Sequence, residues 1–559
     1  MTRNRTPALL VGLATVVLYG VLVVWACVTP AFRAPDEPQQ VSTTLRLAYV
    51  HSYPAAGAAR IYPPVKASYH DVGFGGIGLN TINGIVPLAR PAADQLTSQT
   101  MRRLGATSAG TDSPYDYDQM TQHPPGYFAL LGGFARVFDV IDKTPHTALL
   151  ILRLCSALML LPLPWLVYRI GLALRLAPLG AGSAAFLPVG LPQLTHIGAA
   201  VSNDTLTVTL AAAVTWLSLE VVRRERGRPW AVALGLVTTG LLLTKGIALP
   251  MLIVVAVAFA MRAHRFGVRR VVADTAVALG CMLPGLAWWV ANVVRYGTLQ
   301  PDGYPQSYLD KLPHGTIALG TWLHGFFPAL TRSFFADFGW LEAPPPTAVV
   351  VAATVGLLGL VAVGIVRARR AWPLAVLAQL SWVMPLVAIM DTSHAASNRI
   401  GALQGVQGRY LFSGVAAIAV AVALAVRPAT GGRAGLVGRS GVDGEGPAWG
   451  FAALPPFAMA VAVLGLAAGV SHFYLGDGFS GELGTFSAWS PLRLRVLAAV
   501  LALCIAATLL AVVLLLLRPA APTSLAVIKQ ESTRHADVAD GFVLDHREVG
   551  GGDGGSAPA

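Results

Sequence analysis

The feature that most constrains this chain is a series of long apolar runs separated by polar segments. A helix needs about 20 apolar residues to cross the hydrocarbon core of a bilayer, and about twelve runs approach or reach this length. They cover residues 7–28, 147–168, 178–199, 204–222, 230–243, 246–261, 271–291, 347–366, 372–390, 409–426, 451–472 and 494–517. We therefore predict an all-α polytopic membrane protein with about twelve transmembrane helices.

The composition excludes several other classes of protein. Of the 559 residues, 55% are apolar and only 12% are charged, whereas an average soluble domain has about 25% charged residues. This difference excludes a soluble enzyme, a disordered chain and a nucleic-acid-binding protein. No phosphate-binding glycine loop, zinc-protease motif or serine-hydrolase motif occurs in a suitable context, which argues against a cytoplasmic nucleotide site.

The net charge of +12 is explained by orientation, because Lys and Arg collect in the cytoplasmic connections of membrane proteins. Alternate connections between the apolar runs carry groups of arginines. These are Arg169, Arg175, Arg223, Arg224, Arg226, Arg228, Arg262, Arg265, Arg269, Arg270, Arg367, Arg369, Arg370, Arg427, Arg433 and Arg439. The short connections of the opposite side carry few basic residues, among them Lys245 and Arg399. We predict a multi-pass plasma-membrane protein with both termini in the cytoplasm, and no nucleic-acid partner.

One transmembrane domain is predicted over residues 1–518. Residues 29–146 and 292–346 are predicted to be the first and second large extracytoplasmic loops. Residues 427–450 are predicted to be a flexible cytoplasmic loop, and residues 519–559 a disordered cytoplasmic tail, because both are rich in Gly and polar residues. Since the long loops share one face of the membrane, we expect the functional site on that face.

Two adjacent acids, Asp36 and Glu37, follow the first apolar run and are flanked by Pro35 and Pro38. Such a pair at the membrane surface is suited to general-base catalysis on an acceptor hydroxyl, or to metal binding. The same pattern is also typical of a helix N-terminus. The residues alone leave both interpretations open.

A second polar group in the first loop contains Asp116, Asp118 and His123. Its spacing is compatible with a divalent-cation site, but it is also typical of a solvated loop rich in Tyr and Asp. His123 precedes two prolines and an amphipathic stretch, so we predict an interfacial helix over residues 123–140.

Three charged residues lie at the ends of later apolar runs, on the side of the long loops. Asp204 in a Ser-Asn-Asp turn either caps the next helix or faces a cavity. Lys245 in a Thr-Lys-Gly turn either forms a salt bridge or binds phosphate. Arg409, which follows Gln-Gly, suits a phosphate or pyrophosphate, but an interfacial anchor is equally compatible with the pattern.

Aromatic side chains accompany these charges. Asp337 and Trp340 belong to the segment Ser-Phe-Phe-Ala-Asp-Phe-Gly-Trp, and Tyr410 follows Arg409. Aromatic residues at a membrane interface are usually anchors, although aromatics beside carboxylates also suit sugar rings and hydroxyls.

Taken in order, the motifs PDEP, HPPGY, RLCSAL, SND, TKG, SFFADFGW and QGRY resemble those of a family of uncharacterised bacterial polytopic membrane proteins, catalogued as a domain of unknown function. That family in turn resembles the GT-C superfamily of integral-membrane glycosyltransferases. The resemblance covers most of the chain. It departs at Gln39 and Gln40, because such relatives usually carry a His soon after PDEP.

The resemblance implies an enzyme that transfers sugar from a polyprenyl-phosphate donor to a cell-envelope acceptor on the outer face. Asp36 and Glu37 match the acidic motif, the segment from His123 to Tyr127 matches the HPPGY motif, and Lys245 lies in the TKG turn.

Roles follow for the candidate residues. Asp36 is expected to be the catalytic base, with Glu37 binding metal or orienting the sugar. Lys245 and Arg409 are expected to bind the donor phosphate. Residues expected to contact substrate are His123, Tyr127, Asp204, Asp337, Trp340 and Tyr410. A divalent cation is expected on Glu37, Asp116 and Asp118 if the reaction needs one.

Two other functions fit the same residues. One is a transporter or flippase of a lipid-linked glycan, although no internal repeat of the kind typical of transporters is evident. The other is a non-catalytic envelope-assembly protein that shares the fold.

Overall fold

The computed structural model describes residues 5–72, 96–107, 116–427, 449–474 and 478–517. Within these ranges the chain is helical, with no β-strand and with three isolated β-bridges. The predicted tail, 519–559, lies outside the described residues. So do most of the predicted loop 427–450 and parts of the first loop.

The described α-helices are numbered in chain order. They are α1 (Arg5–Val28), α2 (Glu37–Val50), α3 (Pro63–Asp71), α4 (Met101–Thr107), α5 (Gly126–Val137), α6 (Pro145–Leu158), α7 (Leu163–Ala173), α8 (Pro178–Ala184), α9 (Pro192–Gly198), α10 (Asp204–Arg223), α11 (Arg228–Leu242), α12 (Met251–Phe266), α13 (Val268–Tyr296), α14 (Gln306–Leu309), α15 (Leu319–Phe335), α16 (Thr347–Arg367), α17 (Trp372–Ile400), α18 (Val415–Ala425), α19 (Trp449–Ala452), α20 (Leu454–Phe473), α21 (Gly478–Trp489) and α22 (Leu494–Leu516). Short 3-10 helices lie at Gln119–Gln122, Val140–Asp142, Leu187–Gly190, Gly246–Ala248, Arg369–Ala371 and Gly408–Gly414.

Ten helical segments of the described chain are long and apolar enough to cross a membrane. They are Arg5–Val28, Pro145–Ala173, Asp204–Arg223, Gly246–Phe266, Val268–Tyr296, Thr347–Arg367, Arg369–Ile400, Gly408–Ala425, Trp449–Phe473 and Leu494–Leu516. The predicted fold class, an all-α polytopic membrane protein, is confirmed. The predicted count of twelve spanning helices is not confirmed.

Two predicted spans account for the difference. The run 178–199 is divided into α8, a 3-10 helix and α9, because Pro188 and Pro192 lack the amide hydrogen that a continuous helix needs. The run 230–243 forms α11, which has 15 residues and a length of about 22 Å, shorter than the hydrocarbon core of about 30 Å.

The spanning helices differ in how much of their surface is buried. α10 packs against α7, α11 and α12, and most of its residues are buried. α16 is largely exposed, with Val355 at 67% and Val366 at 76% exposure. Apolar surface on that scale is typical of helices that face lipid.

The described parts of the first loop pack together with α6 in a second apolar cluster. α2 packs against α5, and Phe32, Leu45, Phe128 and Leu131 are buried in the cluster. The predicted interfacial helix 123–140 forms in part as α5. This packing holds the PDEP and HPPGY motifs beside each other.

Candidate active site

The PDEP motif forms a tight turn between α1 and α2. Asp36 has a φ of 60° and a ψ of 7°, and α2 begins at the next residue. Asp tolerates this left-handed conformation better than most residues with a side chain. The turn sends the two adjacent carboxylates to different partners.

Glu37 is completely buried and bound by Arg153 of α6. Arg153 Nε and Nη2 donate to the two Glu37 carboxylate oxygens at 2.8 and 2.6 Å. Arg153 Nη1 also donates to the carbonyls of Ala26 and Thr29 at 2.8 and 2.6 Å, and the amide of Val201 donates to Glu37 Oε1 at 3.1 Å. With these bonds, Glu37 connects the first loop to the spanning helices.

Asp36 belongs to a chain of four buried or half-buried charges, which we term the charge cluster: Asp36, Asp204, Lys245 and Arg409. Arg409 Nη2 donates to Asp36 Oδ2, and Arg409 Nη1 lies 3.7 Å from Asp204 Oδ2. Lys245 Nζ donates to Asp204 Oδ1 at 2.7 Å. Two cations therefore alternate with two carboxylates that come from four separate parts of the sequence.

The ends of helices position each member of the charge cluster. Asp204 opens α10, and the Ser202 hydroxyl donates to its Oδ2 at 3.2 Å. Lys245 lies in the break that follows α11, and Arg409 is the second residue of the spanning segment Gly408–Ala425. The cluster thus lies at one end of several spans, where charged groups are rare unless they are paired.

Two further side chains contact the charge cluster. Lys245 Nζ lies 5.3 Å from the centre of the Tyr410 ring, and Arg409 stacks on the same ring at 5.6 Å. Gln119 Nε2 donates to Asp36 Oδ1 at 2.9 Å. The sequence interpretation did not include Gln119, because an isolated Gln in a polar loop carries no pattern.

His123 lies within electrostatic range of the charge cluster. Its pKa is lowered from 6.5 to about 3, mainly by burial and also by the positive charge of Lys245, against the opposing effect of Asp36 and Asp204. The imidazole is therefore neutral at pH 7. The Tyr53 hydroxyl donates to the His123 carbonyl at 2.6 Å and holds the backbone there.

The HPPGY and TKG motifs meet at Gly126. Its amide donates to the Leu243 carbonyl at 2.9 Å, and a Cβ on Gly126 would lie 2.5 Å from that oxygen. Only glycine permits this approach without a shift of the backbone. The contact brings the segment of His123 next to the segment of Lys245.

Three of the expected substrate contacts lie elsewhere. The hydroxyl of Tyr127 is fully buried 2.9 Å from Ser156 Oγ. Asp337 accepts from the Ala343 amide at 3.1 Å and is also paired with Arg332. Trp340 Nε1 donates to the Phe32 carbonyl at 3.0 Å. These contacts stabilise the second large loop and the core beneath the first.

The three residues expected to bind a cation are not brought together. Lys66 Nζ lies 2.7 Å from Asp116, while Asp118 accepts from Ser42 at 2.6 Å and from Thr43 at 2.9 Å. Glu37 is bound to Arg153. Among the described residues, no group of three or more His, Cys, Asp or Glu is arranged to hold a metal ion.

Sequence reasoning also missed Arg153 and several buried amides. An Arg inside the apolar run that contains RLCSAL was a usable signal, because a charge at membrane depth needs a partner. Side-chain atoms of Gln39, Asn203 and Gln407 are buried without a hydrogen-bond partner in the described part of the chain. Each of these amides is within three residues of a member of the charge cluster.

Comparison with known proteins gives one family and several distant structures. Among curated proteins nothing matches this chain. ArnT from Cupriavidus metallidurans bound to undecaprenyl phosphate is similar with a TM-score of 0.37 and 15% identity, over 81% of this chain and 75% of that one. The oligosaccharyltransferase AglB from Archaeoglobus fulgidus, in complex with an inhibitory peptide and a dolichol-phosphate, is similar with a TM-score of 0.33 and 12% identity. That likeness covers 94% of this chain and 59% of AglB.

The family match includes the PDEP, HPPGY, SND, TKG and QGRY motifs. It extends over residues 19–429, which is more than half of the chain. The chain therefore belongs to the membrane-protein family described as "Predicted membrane protein (DUF2142)".

Proposed function

We propose that this chain is an integral-membrane glycosyltransferase that transfers a sugar from a polyprenyl-phosphate donor to a cell-envelope acceptor. The observation that carries the proposal is the charge cluster, in which Lys245 and Arg409 lie beside Asp36 and Asp204 at one end of the spanning helices. Phosphate-binding cations and a candidate base are thereby within one site. The motif resemblance to GT-C enzymes supports the same assignment.

In the proposed reaction a carboxylate acts as the base and two cations stabilise the leaving group. Asp36 takes the proton of the acceptor hydroxyl, whose oxygen attacks the anomeric carbon of the donor sugar. The bond between that carbon and the phosphate oxygen breaks, and the configuration inverts. Negative charge grows on the departing polyprenyl phosphate, where Lys245 and Arg409 stabilise it in a site of low dielectric.

Donor binding and base activation are coupled in this scheme. Without donor, Arg409 is hydrogen-bonded to Asp36 and Lys245 is hydrogen-bonded to Asp204. A phosphate that takes over the guanidinium of Arg409 releases the Asp36 carboxylate for the acceptor. Asp36 is suited to this exchange of partners because its side chain is 16% exposed to solvent, whereas the side chain of Arg409 is only 4% exposed.

Buried amides close in sequence to members of the charge cluster supply, in the proposal, polar contacts for a sugar. Unpaired buried polar atoms are rare in folded proteins and often mark places where a ligand or water bonds. Gln39, Asn203 and Gln407 carry such atoms. In the proposal they bind sugar hydroxyls, and Tyr410 adds an aromatic face.

The proposal also gives the protein an orientation. The arginine-rich connections lie at the ends of the spans away from the charge cluster, and such connections are cytoplasmic. The cluster then faces the outside of the plasma membrane, and both termini face the cytoplasm.

The test is release of free polyprenyl phosphate from envelope lipid extract, measured by mass spectrometry with purified protein and an envelope acceptor fraction. The variant Asp36→Asn is expected to lower the rate by about 10²–10⁴-fold, the usual contribution of a general base. The variant Lys245→Met is expected to bind the polyprenyl-phosphate donor more weakly and so to release polyprenyl phosphate more slowly. The matched control is Asp310→Asn, an exposed acid in the second large loop.

The outcomes separate the candidate functions. A wild-type rate in Asp36→Asn contradicts the assignment of the base. Movement of intact lipid-linked sugar across the membrane without release of polyprenyl phosphate indicates a flippase. Absence of both activities from the wild-type protein, with the acceptor fraction present, favours a non-catalytic assembly role.

A further inference from the structure

A pocket of about 450 Å³ lies at the ends of the spanning helices that point away from the charge cluster. α10 has Asp204 at one end and Arg223 at the other, and its 20 residues correspond to about 30 Å. The pocket is therefore about one membrane thickness from the charge cluster. Its charged lining residues are Glu225, Arg226, Arg228, Arg262, Arg270 and Asp274.

The lining carries four arginines against two carboxylates. Arg262 is buried, and its guanidinium donates to the carbonyls of Val221 and Arg224 at 2.7 and 2.6 Å and to Asp274 at 3.0 Å. Its Nε is buried and has no hydrogen-bond partner in the described part of the chain. Arg262 Nη2 also donates to the Glu225 carbonyl at 3.0 Å, so three backbone carbonyls and Asp274 fix this arginine at the pocket, and its Nε remains as a donor for an anion.

The other arginines of the lining are free to move onto a ligand. Arg226, Arg228 and Arg270 are exposed. Arg228 begins α11, and α13 begins at Val268, so two helix N-termini lie at the pocket. Neither helix has an acidic residue in its first turn, and the positive ends of their dipoles add to the attraction for an anion.

The surroundings of the pocket favour an anion attached to a lipid. Pro229 of α11 lines the pocket, and Leu236, seven residues further along the same face of α11, is an exposed apolar side chain at 57% exposure. Such a face suits acyl chains that run from a headgroup in the pocket. A soluble anion needs no such surface.

We propose that this pocket binds the phosphate of an anionic phospholipid headgroup, on the membrane face opposite the charge cluster. Basic pockets between spanning helices are suited to such headgroups. Arg262 supplies the fixed part of the site, while Arg228 and Arg270 close on the phosphate. The inference does not depend on the proposed transfer activity.

The test is native mass spectrometry of the full chain, delipidated in detergent and titrated with phosphatidylglycerol or phosphatidylcholine. The double variant Arg228→Gln/Arg270→Gln leaves the buried Arg262 in place. Its affinity for phosphatidylglycerol is expected to fall about 25-fold, or about fivefold for each arginine. The control Arg369→Gln/Arg370→Gln removes two exposed arginines from another connection, and is expected to bind as the wild type does.

Three outcomes overturn the proposal. Equal loss of affinity in the two double variants shows a general effect of surface charge rather than a site. Equal affinity of the wild type for both lipids shows that the headgroup charge is not recognised. Full displacement of phosphatidylglycerol by a matched concentration of inorganic phosphate shows a site for free phosphate.

Discussion

Arg153 and Glu37 form a two-point ion pair inside the protein, with Arg153 Nε and Nη2 at 2.8 and 2.6 Å from the carboxylate oxygens. Both side chains are almost completely buried. The pair fixes the start of α2 against α6 and so determines where the neighbouring Asp36 lies. One acid of the PDEP motif thereby supports the fold, while the other belongs to the charge cluster.

Replacing Glu37 by Gln is expected to destabilise the protein by about 3–5 kcal/mol, because it leaves the Arg153 charge buried without a partner. The measurement is unfolding in detergent. The control is Asp142→Asn, which removes the partner of Arg102 from an exposed pair and is expected to cost at most about 1 kcal/mol. If Glu37→Gln keeps wild-type stability but loses transfer activity, Glu37 acts in the chemistry instead.

Replacing Gly126 by Ala is expected to separate the HPPGY and TKG motifs. The added Cβ would lie 2.5 Å from the Leu243 carbonyl oxygen, and the shift that this forces is expected to cost about 1–3 kcal/mol. Transfer activity is expected to fall as well, because His123 and Lys245 move apart. Thermal unfolding and polyprenyl-phosphate release are the two measurements.

Gly133 provides the matched control within the same helix. A Cβ on Gly133 meets nothing within 4 Å, so Gly133→Ala is expected to be neutral or to stabilise the helix by up to about 1 kcal/mol. Equal destabilisation by the two substitutions contradicts a specific role for the contact between Gly126 and Leu243.

Two buried groups in the first loop are expected to give opposite pH dependences of stability. Burial lowers the pKa of His123 from 6.5 to about 3, so the stability that it contributes is present above pH 6.5 and is lost as the pH falls toward 3. Burial raises the pKa of Asp118 from 3.8 to about 6, against hydrogen bonds from Ser42 and Thr43. The stability that Asp118 contributes is present below pH 3.8 and is lost as the pH rises through 6.

Between about pH 4 and 6 the two dependences offset each other, each with a slope of about 1.4 kcal/mol per pH unit. Compared with the wild type, the free energy of unfolding of Asp118→Asn is expected to fall more steeply as the pH is lowered through this range, because the opposing contribution of the aspartate is gone. The free energy of unfolding of His123→Gln is expected to shift the opposite way relative to the wild type. Denaturant unfolding of both variants at a series of pH values measures the slopes, and parallel slopes would contradict the assignment.

Much of the architecture follows from hydropathy alone. A run such as 494–517 has no stable place outside lipid, because its exposure to water is costly and its backbone is satisfied within a helix. The two exceptions, 178–199 and 230–243, also have local causes, because prolines interrupt one run and the other is too short. Hydropathy shows how many apolar residues a run contains, but it does not show whether they form one continuous helix that is long enough to cross the membrane.

For the site, the sequence by itself determined which residues are unusual for their surroundings. Asp36, Asp204, Lys245 and Arg409 are charges beside apolar runs, and such positions demand partners. Which cation meets which acid was decided only by the tertiary structure. Glu37 pairs with Arg153 and Asp36 with Arg409, although the two acids are adjacent in the chain. The left-handed turn at Asp36 and the packing of distant helices select these partners, and neither leaves a periodic pattern in the sequence.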